Sequence, residues 1–257
     1  MYQVELVFEC FRDTTISAAE RAINHLLNCW RYNGQVLGRE LPLILNQAQF
    51  ECRLICPEQE SLHPQFNSPQ VNQALSQLSD AGVLRPKQKV LGRDLNSDDI
   101  DTCEARPWQV LYTSYLQACS PLRCGEHFTP VPLYRIPAVA NGDHKQVIKW
   151  QEDWAACDQL QMNGSVLEHK AVEQLGTPGT RLYRRGWDLC KRIEYLTQIP
   201  TYLYLYRVGG ESLESEQQRR CPSCGEPWGL SESQHDVIDF KCDNCRLVSN
   251  LSWDFKK

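Results

Sequence analysis

Two short cysteine pairs near the C-terminus constrain this chain more than any other feature. Cys221-Pro-Ser-Cys224 and Cys242-Asp-Asn-Cys245 are separated by 17 residues. Each Cys-x-x-Cys turn presents two sulfurs to one ion, and a hairpin between them brings the turns together. The spacing therefore predicts a zinc ribbon over 211–257, with Cys221, Cys224, Cys242 and Cys245 holding one structural Zn2+. Gly225 follows the first pair, where a tight turn favours a residue that tolerates positive φ. Four thiolates close a tetrahedral shell and leave no position for substrate, so this metal is expected to support the fold rather than hydrolysis. A unit this small, with few apolar side chains, needs that support.

The ribbon accounts for four of thirteen cysteines. The first residues, MYQVELVFECFRD, carry Glu5, Glu9 and Asp13 without a basic stretch or small-residue cleavage site. A cytoplasmic protein with free or metal-bound thiols is the expectation. No apolar run approaches the roughly 18–20 residues that cross a bilayer, so no membrane association is expected. Cys10, on the inner face of the first strand, Cys29, Cys52 and Cys56 read as small buried side chains, as do the cysteines outside the metal clusters. A second cluster, Cys119, Cys124 and His127, is open to two readings. Cys124-Gly-Glu-His127 has the spacing of a mixed sulfur and nitrogen knuckle, and a second Zn2+ there would draw a missing ligand from Cys157 or Cys190. The other reading is a buried thiol beside a metal-free loop.

Residues 1–118 read as an α+β domain. Val4, Leu6, Phe8 and Cys10 alternate as a half-buried strand does. Ser17 with Glu20 forms a capping box before an amphipathic helix whose inner face is Ala19, Ile23, Leu26, Leu27 and Trp30. Strands over 36–45 and 48–56 flank Asn46-Gln47, and a helix over 68–81 starts at Ser68-Pro69 and stops at Gly82. With one more strand at 83–91 or 107–116 the order matches a ferredoxin-like sandwich. Residues 119–210 read as a loop and helical region with helices over 145–162, 165–175 and 180–197 and a returning strand, TYLYLYRV. ESLESEQQ then forms an acidic linker. The fold class is thus α+β, with a ferredoxin-like N-terminal region, a central helical region and a C-terminal four-cysteine ribbon.

Two stretches offer contact surfaces. On the helix over 180–197, Leu182, Leu189, Ile193 and Leu196 form an inward stripe, while Arg181, Arg184, Arg185, Lys191 and Arg192 lie mostly outward with Trp187 beside them. Arginines among aromatics suit phosphate contact and base stacking, although a solvated helix with paired charges reads equally from the pattern. Gly186 interrupts the helix pattern. In the ribbon, Arg219, Arg220, Lys241 and Arg246 are further candidates. From 217 onward six basic residues meet six acidic ones, and the whole chain carries −5. That balance argues against tight nonspecific duplex binding, whose affinity comes largely from counterion release.

RRCPSCGEPWGL, FKCDNCRLVSNLSW, SPLRCGEHFTPVPLYRIP and the YLYLYR strand resemble a bacterial protein family described as containing a zinc ribbon, with a suggested role in nucleic-acid binding. The resemblance covers most of the chain and implies a cytoplasmic bacterial protein. The leading functional expectation is a zinc-ribbon protein that engages RNA, DNA or a nucleoprotein. The alternatives are a protein-interaction adaptor docking through the ribbon and a metalloenzyme using the Cys124/His127 region. No Walker A, G-x-G-x-x-G, H-E-x-x-H or G-x-S-x-G sequence occurs, so a binding role is expected ahead of an enzymatic one.

Overall fold

Val4, Leu6 and Phe8 project from one face of β1 (Tyr2–Glu9) and are buried. The computed structural model describes residues 1–256. β1 is followed by α1 (Ile16–Asn33), β2 (Leu43–Asn46), β3 (Gln49–Cys56), α2 (Pro69–Asp80) and β4 (Lys87–Arg93). The strands form one antiparallel sheet in the order β2-β3-β1-β4. That succession and order are the ferredoxin-like arrangement. Ile23, Leu26, Leu27 and Trp30 of α1 and Val71, Ala74 and Leu78 of α2 pack over the inward side chains of β1 and β3, Cys52 and Cys56 among them.

Local details differ from the sequence reading. The cap of α1 is Thr15, whose Oγ1 accepts from the Ala18 amide at 3.2 Å, so Ser17 lies inside the helix. β2 begins only after Pro42, which has no amide to donate to a ladder. Its turn into β3 uses Gln47 and Ala48 at φ 46° and 66°, one residue later than Asn46-Gln47. Cys10 is exposed rather than buried: β1 stops at Glu9, and Cys10 makes only an isolated bridge to Val83.

The chain divides into two units. One comprises Met1–Asp101, Ala118–Ser120 and Thr129–Lys145; the other comprises Thr102–Gln117, Pro121–Phe128 and Gln146–Lys257. The second unit contains β5 (Gln109–Leu111), β6 (Leu122–Cys124), all but the first residue of α3 (Lys145–Asn163), α4 (Glu168–Gly176), α5 (Arg181–Thr197) and β7 (Thr201–Leu205). It continues with α6 (Leu213–Gln217), β8 (Gly229–Gln234), β9 (Ile238–Cys242) and β10 (Leu247–Ser249). Its sheet runs β6-β5-β7-β10-β9-β8, with β7 parallel to both β5 and β10. The hairpin carrying the cysteine pairs thus extends the sheet of the region before it. Residue 210 marks no break in hydrogen bonding.

α5 continues through Gly186. A Cβ there would lie 2.7 Å from Trp150 Nε1 and 2.8 Å from Leu203 Cδ1, so the missing side chain is what lets α3 and β7 close on the helix. The Trp150 indole donates to the Leu182 carbonyl at 3.2 Å. The buried stripe is therefore Leu182, Gly186, Cys190 and Ile193, with Leu189 and Leu196 only half-buried. The expected acidic linker is packed: α6 buries Glu216, which pairs with Arg207 and with Arg219 (3.5 Å). No described helix is long and apolar enough to cross a membrane.

Candidate metal centre and adjoining groove

Cys221, Cys224, Cys242 and Cys245 come together as the spacing requires, with all four sulfurs within 4.8 Å of one another. Cys224 Sγ and Cys242 Sγ are 3.7 Å apart. Tetrahedral ligands at about 2.3 Å from one ion would be separated by roughly 3.8 Å, so the cluster can hold a metal ion with little movement. Two similar turns make it. In the first, the Gly225 amide donates to the Cys221 carbonyl at 2.9 Å and Gly225 adopts φ 76°. In the second, Arg246 takes the equivalent place after Cys245 at φ 54°. A left-handed arginine is uncommon, and its partners explain it. Arg246 pairs with Glu194 of α5 at 3.1 Å and donates to the Asp243 carbonyl at 2.7 Å.

The thiols differ electrostatically. The Glu226 amide draws Cys224 down to about 7, whereas burial pushes Cys242 up to about 12 and raises Cys245 as well. Beneath the centre, Trp228 and Phe240 pack with ring centroids 5.2 Å apart. Trp253, by contrast, is exposed.

Between the second cysteine turn and α5 lies a groove of about 570 Å3. Trp187, Lys191, Glu194 and Tyr195 line it from the helix, and Asn244 and Arg246 from the turn. Trp187 and Tyr195 are among the most exposed aromatics of this unit, Tyr195 at 70%. Lys191 Nζ sits 3.7 Å from the Trp187 ring centre and 2.9 Å from Asp188. Of the other basic candidates on α5, Arg181 and Arg184 are exposed, Arg185 pairs with Asp153, and Arg192 lies 5.7 Å from the Tyr195 ring centre.

The ribbon candidates divide sharply. Arg220 is exposed and Arg246 borders the groove. Arg219 instead points inward: besides Glu216 it donates to the Asn250 carbonyl at 2.9 Å and lies 4.4 Å from the Phe240 ring centre. Burial lowers its pKa to about 10. Lys241 is largely covered, 4.2 Å from the Trp108 ring and 4.9 Å from Tyr202. Neither side chain is displayed for a ligand.

Cys124 and His127 are also brought together, Sγ to Nδ1 at 3.8 Å. The third member of that group is Cys103, not the expected Cys119; the three ligand atoms lie within 4.8 Å of one another. Cys119 belongs to the segment Ala118–Ser120 of the other unit. Cys157 and Cys190, on α3 and α5, are not in the group. Cys103 escaped sequence reasoning because it has no cysteine or histidine partner at knuckle spacing and sits 21 residues before Cys124 in a polar loop.

A Haemophilus influenzae protein described as uncharacterized is 47% identical to this chain over 262 residues, covering 99% of this chain and 100% of the relative. The chain belongs to that protein's family. A second H. influenzae member, described in the same way, is 48% identical over 204 residues, covering 78% of this chain and 95% of its own. Three family profiles, each described as a domain of unknown function, match successive stretches of the chain: DUF8589 at 1–92, DUF2310 at 103–206 and DUF8594 at 210–255. A crystal structure from Deinococcus radiodurans, described as a candidate antibiotic biosynthesis monooxygenase, covers 39% of this chain and 98% of its own at 12% identity. Its TM-score of 0.27 is too low to argue from.

Proposed function

We propose that this family member is a zinc-ribbon protein that binds single-stranded nucleic acid in the groove beside the ribbon. The observation that carries the reading is the meeting of Trp187, Tyr195, Lys191 and Arg246 in one open groove against the second cysteine turn. Zinc suits four thiolates in a tetrahedral shell. Its part is to hold the Cys242–Cys245 turn, and so Arg246, in place against α5. A closed shell of four thiolates would take no part in a reaction.

Exposed aromatics give every base a face to stack on, whatever its sequence. The Lys191–Asp188 pair is solvent-exposed and worth little on its own, so Lys191 can exchange its partner for a phosphate at small cost. Arg246 remains tied to Glu194 and serves as an oriented donor. Glu194 within the groove and the net charge of −5 disfavour binding that depends on charge alone. Stacking on single strands fits this surface better than tracking a duplex. The thirteen cysteines, all free of disulfides, suit the reducing cytoplasm.

Fluorescence anisotropy with labelled single-stranded and duplex RNA and DNA across a salt series tests the proposal. Saturable binding to single strands is expected. Trp187→Ala should weaken it by about 1–3 kcal/mol, roughly 5- to 150-fold. If no labelled strand saturates at low micromolar protein, the nucleic-acid reading fails, and a polypeptide becomes the partner to seek for the ribbon.

A further inference from the structure

We infer that the second unit holds a second zinc ion, bound by Cys103, Cys124 and His127. Three observations point to it. The first is distance. Zinc–sulfur bonds of about 2.3 Å and zinc–nitrogen bonds of about 2.0–2.1 Å around a tetrahedron separate ligand atoms by roughly 3.5–3.8 Å. Cys124 Sγ and His127 Nδ1 are 3.8 Å apart, and the three ligand atoms lie within the same 4.8 Å that contains the four sulfurs of the ribbon.

The second observation is backbone conformation. In the ribbon's first turn, the residue after the second ligand donates its amide to the carbonyl of the first cysteine and adopts positive φ. Cys124-Gly-Glu-His127-Phe128 repeats this. The Phe128 amide donates to the Cys124 carbonyl at 3.0 Å, and Phe128 adopts φ 58°, close to Arg246 at 54°. Positive φ is unusual for a bulky aromatic residue. Here it gives Cys-x-x-His the hydrogen-bonded turn that gathers two sulfurs in the ribbon's first knuckle, with the positive φ that both knuckles share.

The third observation is the support around the turn. The Gly125 amide donates to the Trp108 carbonyl at 3.0 Å, and a Cβ on Gly125 would lie 2.1 Å from the Trp108 ring. Trp108 Nε1 donates to Glu126 at 3.0 Å. These contacts fix the two residues between Cys124 and His127, and with them the turn that sets the spacing of the two ligands. Two thiolates and an imidazole are donors that zinc accepts. His235, at the tip of the β8–β9 hairpin, bonds to the Gly125 carbonyl at 2.7 Å and stacks on Phe128 with centroids 5.0 Å apart. The second ion thus anchors the loop around Cys103 and the surface on which the hairpin tip rests.

Metal analysis of the full-length protein after zinc loading and desalting tests this. Two zinc ions per chain are expected in the unsubstituted protein. Cys103→Ser and His127→Gln should each retain one, Cys221→Ser should retain one, and Cys103→Ser combined with Cys221→Ser should retain none. Cys124 is fully buried, so the half-buried Cys103 and exposed His127 are the informative positions. One zinc per chain in the unsubstituted protein, or two retained in both Cys103→Ser and His127→Gln, would overturn the inference.

Discussion

The first unit is held by a continuous apolar cluster, in which Val4, Leu6 and Phe8 of β1 meet Ile23, Leu26 and Leu27 of α1 and Val71 and Leu78 of α2. The second unit places many polar groups inside. Gln109 donates to Thr197 and Thr201, Asn250 bonds to Arg207 through both backbone groups, and Glu216 sits between two arginines. The second cysteine turn joins its inner strands β9 and β10. The contrast shows two ways to order a sheet. A long apolar stripe spreads the stabilisation over many side chains, whereas buried polar and ion-pair anchors, with a cysteine cluster that could hold a metal, concentrate it in a few.

The largest effect should come from removing metal. Binding at a four-cysteine centre contributes on the order of 10–16 kcal/mol in finger peptides, so chelation or Cys221→Ser should abolish amide protection across 217–255. Because β10 is hydrogen-bonded to β7, exchange should also rise at Thr201–Leu205, while α1 and β1 keep their protection. Hydrogen exchange resolved by residue checks this. Unchanged ribbon protection without metal would remove the contrast between the units.

Single substitutions sharpen it further. Glu216→Ala would strand Arg219 in the interior, and loss of one partner from a buried pair costs about 3–5 kcal/mol. Leu26→Ala in the first unit should cost about 2–5 kcal/mol through lost burial and the cavity left behind. Urea denaturation followed by probes in each unit should show each change acting mainly on its own transition.

Acid provides a smaller test confined to the first unit. His144 is 1% exposed, and burial lowers its pKa to about 4 against an ordinary value near 6.5. Between these values the unfolded chain binds the proton and the folded one does not. The contribution is therefore complete above about pH 6.5 and lost as pH falls towards 4, by roughly 3 kcal/mol in total. Stability measured from pH 7 to 4 should lose part of its slope in His144→Gln.

Legibility from sequence followed the same division. The apolar face of α1 emerged from its spacing because burial on one side imposes a period, and Ser68-Pro69 and Gly82 marked α2 because capping and positive φ are local demands. The cysteine pairs were legible because a metal needs ligands at short spacing. Arg219 and Lys241 were misread as surface cations, since nothing local tells an arginine over Phe240 from one in water. The cap at Thr15 and the exposed Cys10 each turned on where an element ended, by one or two residues.

The β-α-β-β-α succession of the first unit and the two Cys-x-x-Cys turns were legible in the sequence alone, because periodic burial and knuckle spacing are patterns between residues close in the chain. Tertiary structure decided that β10 joins β7, that Trp187 and Arg246 share a groove, and that Cys103 rather than Cys119 completes the group with Cys124 and His127 within one unit. Those contacts join positions from 21 to about 60 residues apart with no local spacing rule between them, and only packing of the intervening chain specifies which distant side chains meet.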